Sequence, residues 1–461
     1  MNTTYKTLLP ALLISALAAL TACDDVLDKE PLLSTTESTI FTDAEKIEAN
    51  LLGVYSDIKD LLAYKGRAYH DIRAEDIYSL SSNVYQCYTV YEMAVGLTTE
   101  DNSDTWTLLY TAINEANTFL ANLEEAQDVA GDDYDQFVAE AKFVRALSYY
   151  SLYQLYANPY STGSTQLAVP LRLEAESTTT SNDLARSTIA EVFAQILADL
   201  SDANIANLPS GGNSYDAVTR ASQGAAHTLR QRIYLEQENW SSAVTEGLAV
   251  SGYELEPTVA EVFNNNITEE VIFTFPMADT NKGSTQYAQA YYYCTGDIFV
   301  LDDTYGYFAI DGYNLEADTR VSLLISQSSG RYLLGKYPDS STYLDWIPQF
   351  RYAEVLLNLA EAYANLGQDD LARDYLLQVR RRSLAAEDDV LDIDNLTGDD
   401  LLEAVYNERR AEFVGEGLRA IDIHRRAESY VKRNGTYTVN GNGYIWPIPT
   451  SERSTNSLIE D

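Results

Sequence analysis

Residues 350–382 leave this chain little choice of fold. Read at a helical period, Tyr352, Leu356, Leu359, Tyr363 and Leu366 fall on one stripe, with Ala353, Leu357, Ala360 and Ala364 beside it. The small stripe lets a neighbouring helix approach closely, and the large one fills the space between them. Gly367 is placed to end the first helix, because glycine takes a left-handed cap at little cost. Leu371, Tyr375, Leu376 and Val379 then mark a second helix, so the stretch reads as an antiparallel pair. Residues 221–249 repeat the pattern. Tyr234 precedes Ala243 by nine positions, as Tyr363 precedes Ala372. Such pairs read as tetratricopeptide-like units, which bury both faces only by stacking on neighbours. Segments 106–126, 134–157 and 187–203 carry further helical stripes. These stripes are expected to be core, with no chemistry of their own.

The other elements group around that frame. Residues 43–252 and 350–430 read as helical scaffold. Residues 253–349 read as an inserted lobe, loop-rich with a few short strands such as Glu270–Phe275, and residues 431–461 as a C-terminal coil. The fold class is mainly α, in a single domain from residue 43 onward. Two stretches, 64–91 and 287–313, are crowded with tyrosine, a residue the chain uses 35 times against 12 Phe and 4 Trp. Tyrosine joins an apolar ring to a polar tip, the combination favoured at wet binding surfaces.

The amino end reads as a secretion signal over residues 1–22, with Lys6 ahead of an apolar run from Leu8 to Leu20. It closes on Leu20-Thr21-Ala22-Cys23, which resembles the lipobox of bacterial lipoproteins, with Cys23 as the acylated residue. Residues 23–42 read as a tether. Asp24 and Asp25 directly after the cysteine resemble the surface-export signal of Bacteroidetes lipoproteins. The formal charge of −39 disfavours nucleic acid and anionic membrane as partners. His70, His227 and His424 match no metal-ligand spacing. Gly330–Tyr337 nearly spells a phosphate loop but carries Tyr337 where a Mg²⁺-binding hydroxyl is needed. No cofactor and no metal is expected.

Four motifs occur in order along nearly the whole chain: Cys23 with Leu27-Asp28-Lys29-Glu30-Pro31; Arg351–Leu357 with Ala360-Glu361-Ala362; Glu408-Arg409-Arg410-Ala411-Glu412-Phe413 with Glu416-Gly417-Leu418-Arg419 and Asp422; and Trp446-Pro447-Ile448-Pro449 with Glu452 and Asn456. Together they resemble the SusD/RagB family of outer-membrane nutrient-binding lipoproteins. The tail departs from the family in stopping soon after Asn456.

The resemblance implies a tetratricopeptide-like scaffold with a loop-rich binding face, lipid-anchored and exposed at the cell surface. It implies capture of a glycan without catalysis, for transfer to a TonB-dependent transporter of the SusC type. The Glu408, Arg409, Arg410 and Glu416 constellation is read as a structural ion network. By region alone, the ligand is expected on Arg73, Asp76, Tyr85, Tyr88, Tyr91, Tyr291, Tyr292 and Tyr313. A peptide ligand, as for a RagB-like receptor, is the alternative, and a surface glycoside hydrolase with two carboxylates is the third reading. Cys87 and Cys294 lie one in each tyrosine stretch, in a compartment that permits a disulfide, and are read as close or bridged.

Replacing Cys23 by Ala is expected to shift the protein from the membrane to the aqueous phase on detergent partitioning. Partition unchanged from wild type would remove the lipid anchor from the reading.

Overall fold

Asp43 opens the first long helix. Its carboxylate accepts hydrogen bonds from the Glu45 and Lys46 amides, which have no partner within the helix. The computed structural model describes residues 40–176, 182–295, 298–310, 317–384, 393–441 and 443–459. Its longer helices are α1 (Ala44–Leu62), α2 (Lys65–Arg73), α3 (Glu100–Glu125), α4 (Tyr134–Tyr156) and α5 (Ile189–Asp199). They continue with α6 (Gln223–Glu236), α7 (Trp240–Ala249), α8 (Tyr352–Asn365), α9 (Asp369–Arg382), α10 (Gly398–Phe413) and α11 (Leu418–Arg425). Thr188 and Glu191 form a reciprocal capping box on α5. Thr397 stands at the N-cap of α10, but its side chain makes no cap bond. Instead Gly398, in a left-handed conformation, donates its N–H to Asp369.

The α8–α9 pair forms as its stripes require. After α8, Gly367 sits at φ +69° and donates to Ala364 O at 3.0 Å, while Gln368 donates to Tyr363 O at 2.9 Å. These two bonds are a Schellman stop, and they satisfy carbonyls that the helix leaves open. Tyr363 and Tyr375 then stack across the pair, centroids 5.6 Å apart at 6°. Leu366 and Leu371, at the ends of the stripes, are exposed, because the corner lifts them off the core. The second pair, α6–α7, packs on the first through α7 and α8. Gly247 makes that approach possible, since a Cβ there would lie 2.8 Å from the Leu359 side chain.

The strands are short and pair antiparallel in twos. β1 (Ile77–Ser79) pairs with β3 (Phe299–Leu301), and β2 (Val271–Phe275) with β6 (Ile347–Arg351). β4 (Leu324–Ser326) pairs with β5 (Tyr332–Leu334), and β7 (Ser429–Lys432) with β8 (Gly435–Thr438). Phe273, Phe275, Tyr292 and Ile347 of the 253–349 stretch belong to the same apolar core as the helices, so the lobe shares the scaffold's interior.

The tail departs from the expected surface coil. It begins with the β7–β8 hairpin, then threads inward. Trp446 is buried edge-on against Tyr69 and Tyr156 and donates its backbone N–H to Leu155 O at 2.8 Å. Glu452 accepts from the Trp106 indole at 3.3 Å and from Arg172 at 3.2 Å. Asn456 brackets Leu184 with bonds of 3.1 and 2.9 Å to its N–H and C=O. Trp446 and Ile448 supply enough apolar area to draw the segment inside, and the polar residues after them, Glu452 and Asn456, find partners there.

A buried ion network joins lobe to scaffold. Arg351, at the end of β6, reaches Glu416 at 2.8 Å, Glu270 at 2.7 Å and Glu412 at 2.6 Å. Arg320 reaches Asp318 and Glu408 at 2.8 Å and Glu412 at 2.9 Å. Lys336 reaches Glu416 at 2.6 Å, and Arg382 pairs with both Glu270 and Glu412. Burial alone would raise the Glu412 carboxyl, but Arg382, Arg351 and Arg320 together hold it well below the usual carboxylate range.

Arg351→Met is expected to cost about 3–5 kcal/mol, because it leaves carboxylates buried without their cation. Chemical denaturation would read this directly, and a loss under about 1 kcal/mol would show that the network is dispensable.

Candidate functional site

The two tyrosine-rich stretches pack against each other. The β1–β3 ladder sets Tyr78 opposite Val300. Beside it, Lys65 on α2 lies 4.5 Å above the Tyr287 ring and 3.0 Å from Asp101. The Cys87 thiol approaches the Tyr292 hydroxyl at 3.6 Å. Segments far apart in sequence are thus packed against each other.

Two local backbone features decide which rings point outward. Val84–Gln86 form a single 3-10 turn, and Cys87 then takes φ +63° before the helical turn Tyr88–Tyr91. Met93 follows at φ +53°. Left-handed conformations at non-glycine residues cost roughly 1–3 kcal/mol each and persist where the surroundings enforce them. Here they drive Cys87, Val90 and Tyr91 into the core and leave Tyr85 56% exposed, with Tyr88 half-buried. Across the face, Tyr291–Thr295 form one π turn. Tyr292 and Tyr293 turn inward, and Tyr291 stays half-buried at the surface.

A recess of about 230 Å³ opens beside Tyr85, lined also by Val84, Thr89, Thr99, Glu100 and Asp101. It joins an aromatic wall to hydroxyl and carboxylate groups. Asp101 is held in place by Lys65 and by the Tyr69 hydroxyl, which donates at 2.8 Å. Further along, Tyr305 is exposed, and Tyr78 carries the Arg433 guanidinium 4.1 Å from its ring centre.

Several residues expected to face a ligand are internal. Arg73 is buried, donates to Tyr444 O at 2.7 Å and lies over the Tyr444 ring. Asp76 is buried and accepts from Arg410 at 2.7 Å. Its neighbour Glu75 binds Arg419. The 70–76 stretch is therefore not an exposed loop but a buried clasp onto α10 and α11. Tyr292 stacks on Phe299, centroids 4.9 Å apart, with no face left for a ligand. Tyr91 is covered by Lys432, whose Nζ lies 4.5 Å from the ring centre and bonds the Tyr91 carbonyl. Tyr85, Tyr88 and Tyr291 remain accessible. Tyr313 and Cys23 lie outside the described residues. Lys65, Asp101 and Tyr287 belong to this face and were not singled out from the sequence. Lys65 and Asp101 carry no motif, and only their pairing marks them.

Cys87 and Cys294 are unbridged. Cys87 faces Tyr292, while Cys294 donates to the Leu334 and Tyr337 carbonyls, each at 3.0 Å. The stretches are adjacent, but the thiols point to different neighbours. The histidines are separate too: His227 contacts Glu246 at 2.7 Å, and His424 bonds Ala157 O at 2.9 Å. No described helix is long and apolar enough to cross a membrane.

Residues 25–235 match a family model described as starch-binding, SusD-like and associating with the outer membrane, and residues 325–460 match the SusD family model. A crystal structure of a SusD superfamily protein from Bacteroides fragilis is 44% identical. It covers 92% of this chain and all of that one, with a TM-score of 0.87. The SusD-like protein P38 of Formosa agariphila is 24% identical over 95% of this chain and 94% of its own length. P25 of the same organism is 25% identical over 57% of this chain, and the match spans half of P25.

Burial pushes the Cys87 thiol up to about 12, with Asp101 adding to the effect, and burial likewise raises Cys294 to about 12. Cys87 is therefore expected to resist alkylation at pH 8 until the protein is unfolded, because the thiolate is the reacting form. Rapid labelling of native Cys87, followed by peptide mapping, would contradict its placement.

Proposed function

Because the chain belongs to the SusD family, we propose that it captures a glycan at the cell surface and holds it, without catalysis, for import. The observation that supports this reading is the packing of the two tyrosine stretches against each other, with a polar recess beside Tyr85 of the first. A sugar ring has apolar C–H faces and hydroxyl edges. Stacking one on a tyrosine hides ~50 Å² of apolar surface, worth about 1 kcal/mol. A single stack does not offset the cost of ordering a chain of sugars, so several rings must act together. Tyr85, Tyr88 and Tyr291 supply them. Glu100 and Asp101 in the recess accept hydrogen bonds from sugar hydroxyls, and Thr89 and Thr99 both donate and accept.

Lipid attachment at Cys23 places the face outside the outer membrane, and a TonB-dependent transporter of the SusC type receives the glycan. The binding is weak enough for release into such a channel, since each stack is worth only about RT to twice RT.

The triple variant Tyr85→Ala, Tyr88→Ala, Tyr291→Ala is expected to lose retardation on polysaccharide affinity gels, while its melting temperature stays close to wild type. Tyr292→Ala serves as the contrast, losing stability first, because its ring fills the core. Retardation by starch, β-glucan and mannan gels that is undiminished in the triple variant would sink the reading. Release of reducing sugar by the purified protein would replace it with hydrolysis.

A further inference from the structure

Behind the tyrosine face, a cavity of about 40 Å³ lies between α2, α4, α6 and the turn ahead of α11. Arg67 and His70 line it from α2, Gln154 from α4 and Arg232 from α6. The volume exceeds the roughly 10–15 Å³ of such space that one small solvent-sized occupant needs.

Its polar walls are incompletely paired. Gln154 is only 4% exposed, yet its Nε2 has no hydrogen-bond partner, and neither has His70 Nδ1. A buried amide left in this way costs about 1–3 kcal/mol unless something in the cavity bonds it. The charges are unbalanced as well. The buried Arg67 guanidinium donates to the carbonyls of Glu416 and Pro348, and among the described residues no carboxylate lies within ion-pair distance of it. A guanidinium has five N–H donors, so the fork has donors to spare for the cavity it lines. Arg73, at the end of the same helix and outside the cavity lining, is buried against the Tyr444 carbonyl and ring, again with no carboxylate partner among the described residues.

The nearby carboxylates do not fill the gap. Glu416 is taken by Lys336 and Arg351, and Glu354 by Arg232. Glu236 accepts from Tyr150 and Tyr153. Asp71 accepts from Tyr293 and from the Gly417 N–H, and burial pushes it up to about 7, against the pull of the Tyr293 hydroxyl and Arg67. Burial, and then Arg73 and Arg67, hold His70 well below its usual range, so it is a neutral donor or acceptor. With Glu416, which also lines the cavity, and Arg232 each paired elsewhere, the Arg67 guanidinium and the unpartnered Gln154 amide in one wall make a setting that favours a negative charge over neutral water.

We propose that this cavity binds a small inorganic anion, chloride in saline media, held by Arg67, His70 and Gln154. The ion ties α2, which runs directly toward the tyrosine segment, to α4 and α6 of the scaffold. It is a structural ion of the frame, separate from the ligand face.

Bromide is the probe, because it scatters anomalously and replaces chloride. Crystals of the soluble chain grown in sodium bromide are expected to show an anomalous peak in the cavity, within about 3.5 Å of Gln154 Nε2. In thermal melts at matched ionic strength, sodium chloride is expected to raise the melting temperature by about 2–4 °C over sodium gluconate. Gln154→Leu, checked for a cooperative melt, is expected to lose most of that difference. Water density with no anomalous peak would overturn the proposal, as would equal wild-type melts in the two salts. A chloride effect retained in full by Gln154→Leu would overturn it too.

Discussion

The buried carboxylate of Glu412 is the constraint on which the rest of this structure depends. It sits on α10 and draws in Arg351 from the end of β6, Arg320 from the lobe and Arg382 from the end of α9. Each cation comes from a different part of the chain, so the pairing can be complete only when all of those parts are in place. Such a network adds little net stability over a well-packed apolar core, yet breaking one member is costly. Here it fixes geometry. Glu270, at the start of β2, answers Arg351 and Arg382 together and so locks the lobe to the helix pairs.

The tyrosine-bearing segments inherit that geometry through a second set of charged contacts. Glu75 and Asp76, just after α2, are clasped by Arg419 and Arg410. Tyr305 receives a hydrogen bond from the same Arg410 through its carbonyl. Asp302, following β3, binds Arg433 of the β7–β8 turn, and Arg433 in turn covers Tyr78. The tyrosines therefore lie on loops, as binding residues commonly do, but the loops are held by buried pairs on rigid elements. A preformed array of rings loses less entropy when it takes up a sugar chain than a mobile one would.

Residues whose role follows from neighbours a few positions away were readable in advance. The α8 and α9 stripes and the Gly367 stop follow from helical spacing and cap chemistry. Glu408, Arg409, Arg410 and Glu416 do take part in ion pairing, but mostly not with each other. Glu408 answers Arg320, Arg409 answers Asp422, Arg410 answers Asp76 and Glu416 answers Arg351. Arg73 and Asp76 are expected at the ligand by region alone, and a charged stretch with little apolar rhythm reads as surface. They are inside because distant carbonyls and guanidiniums satisfy them.

The amino-acid sequence by itself determined the helical frame, its repeat of paired helices, the family resemblance and the two tyrosine-rich segments. Tertiary structure decided which of those rings can touch a ligand. Outward Tyr85 and inward Tyr91 differ through the left-handed turn at Cys87, and outward Tyr291 and inward Tyr292 through a π turn. Neither turn has a sequence signature of its own. Both are imposed by packing against residues some 200 positions away, as in the contact of Cys87 with Tyr292, and local spacing carries no record of such partners.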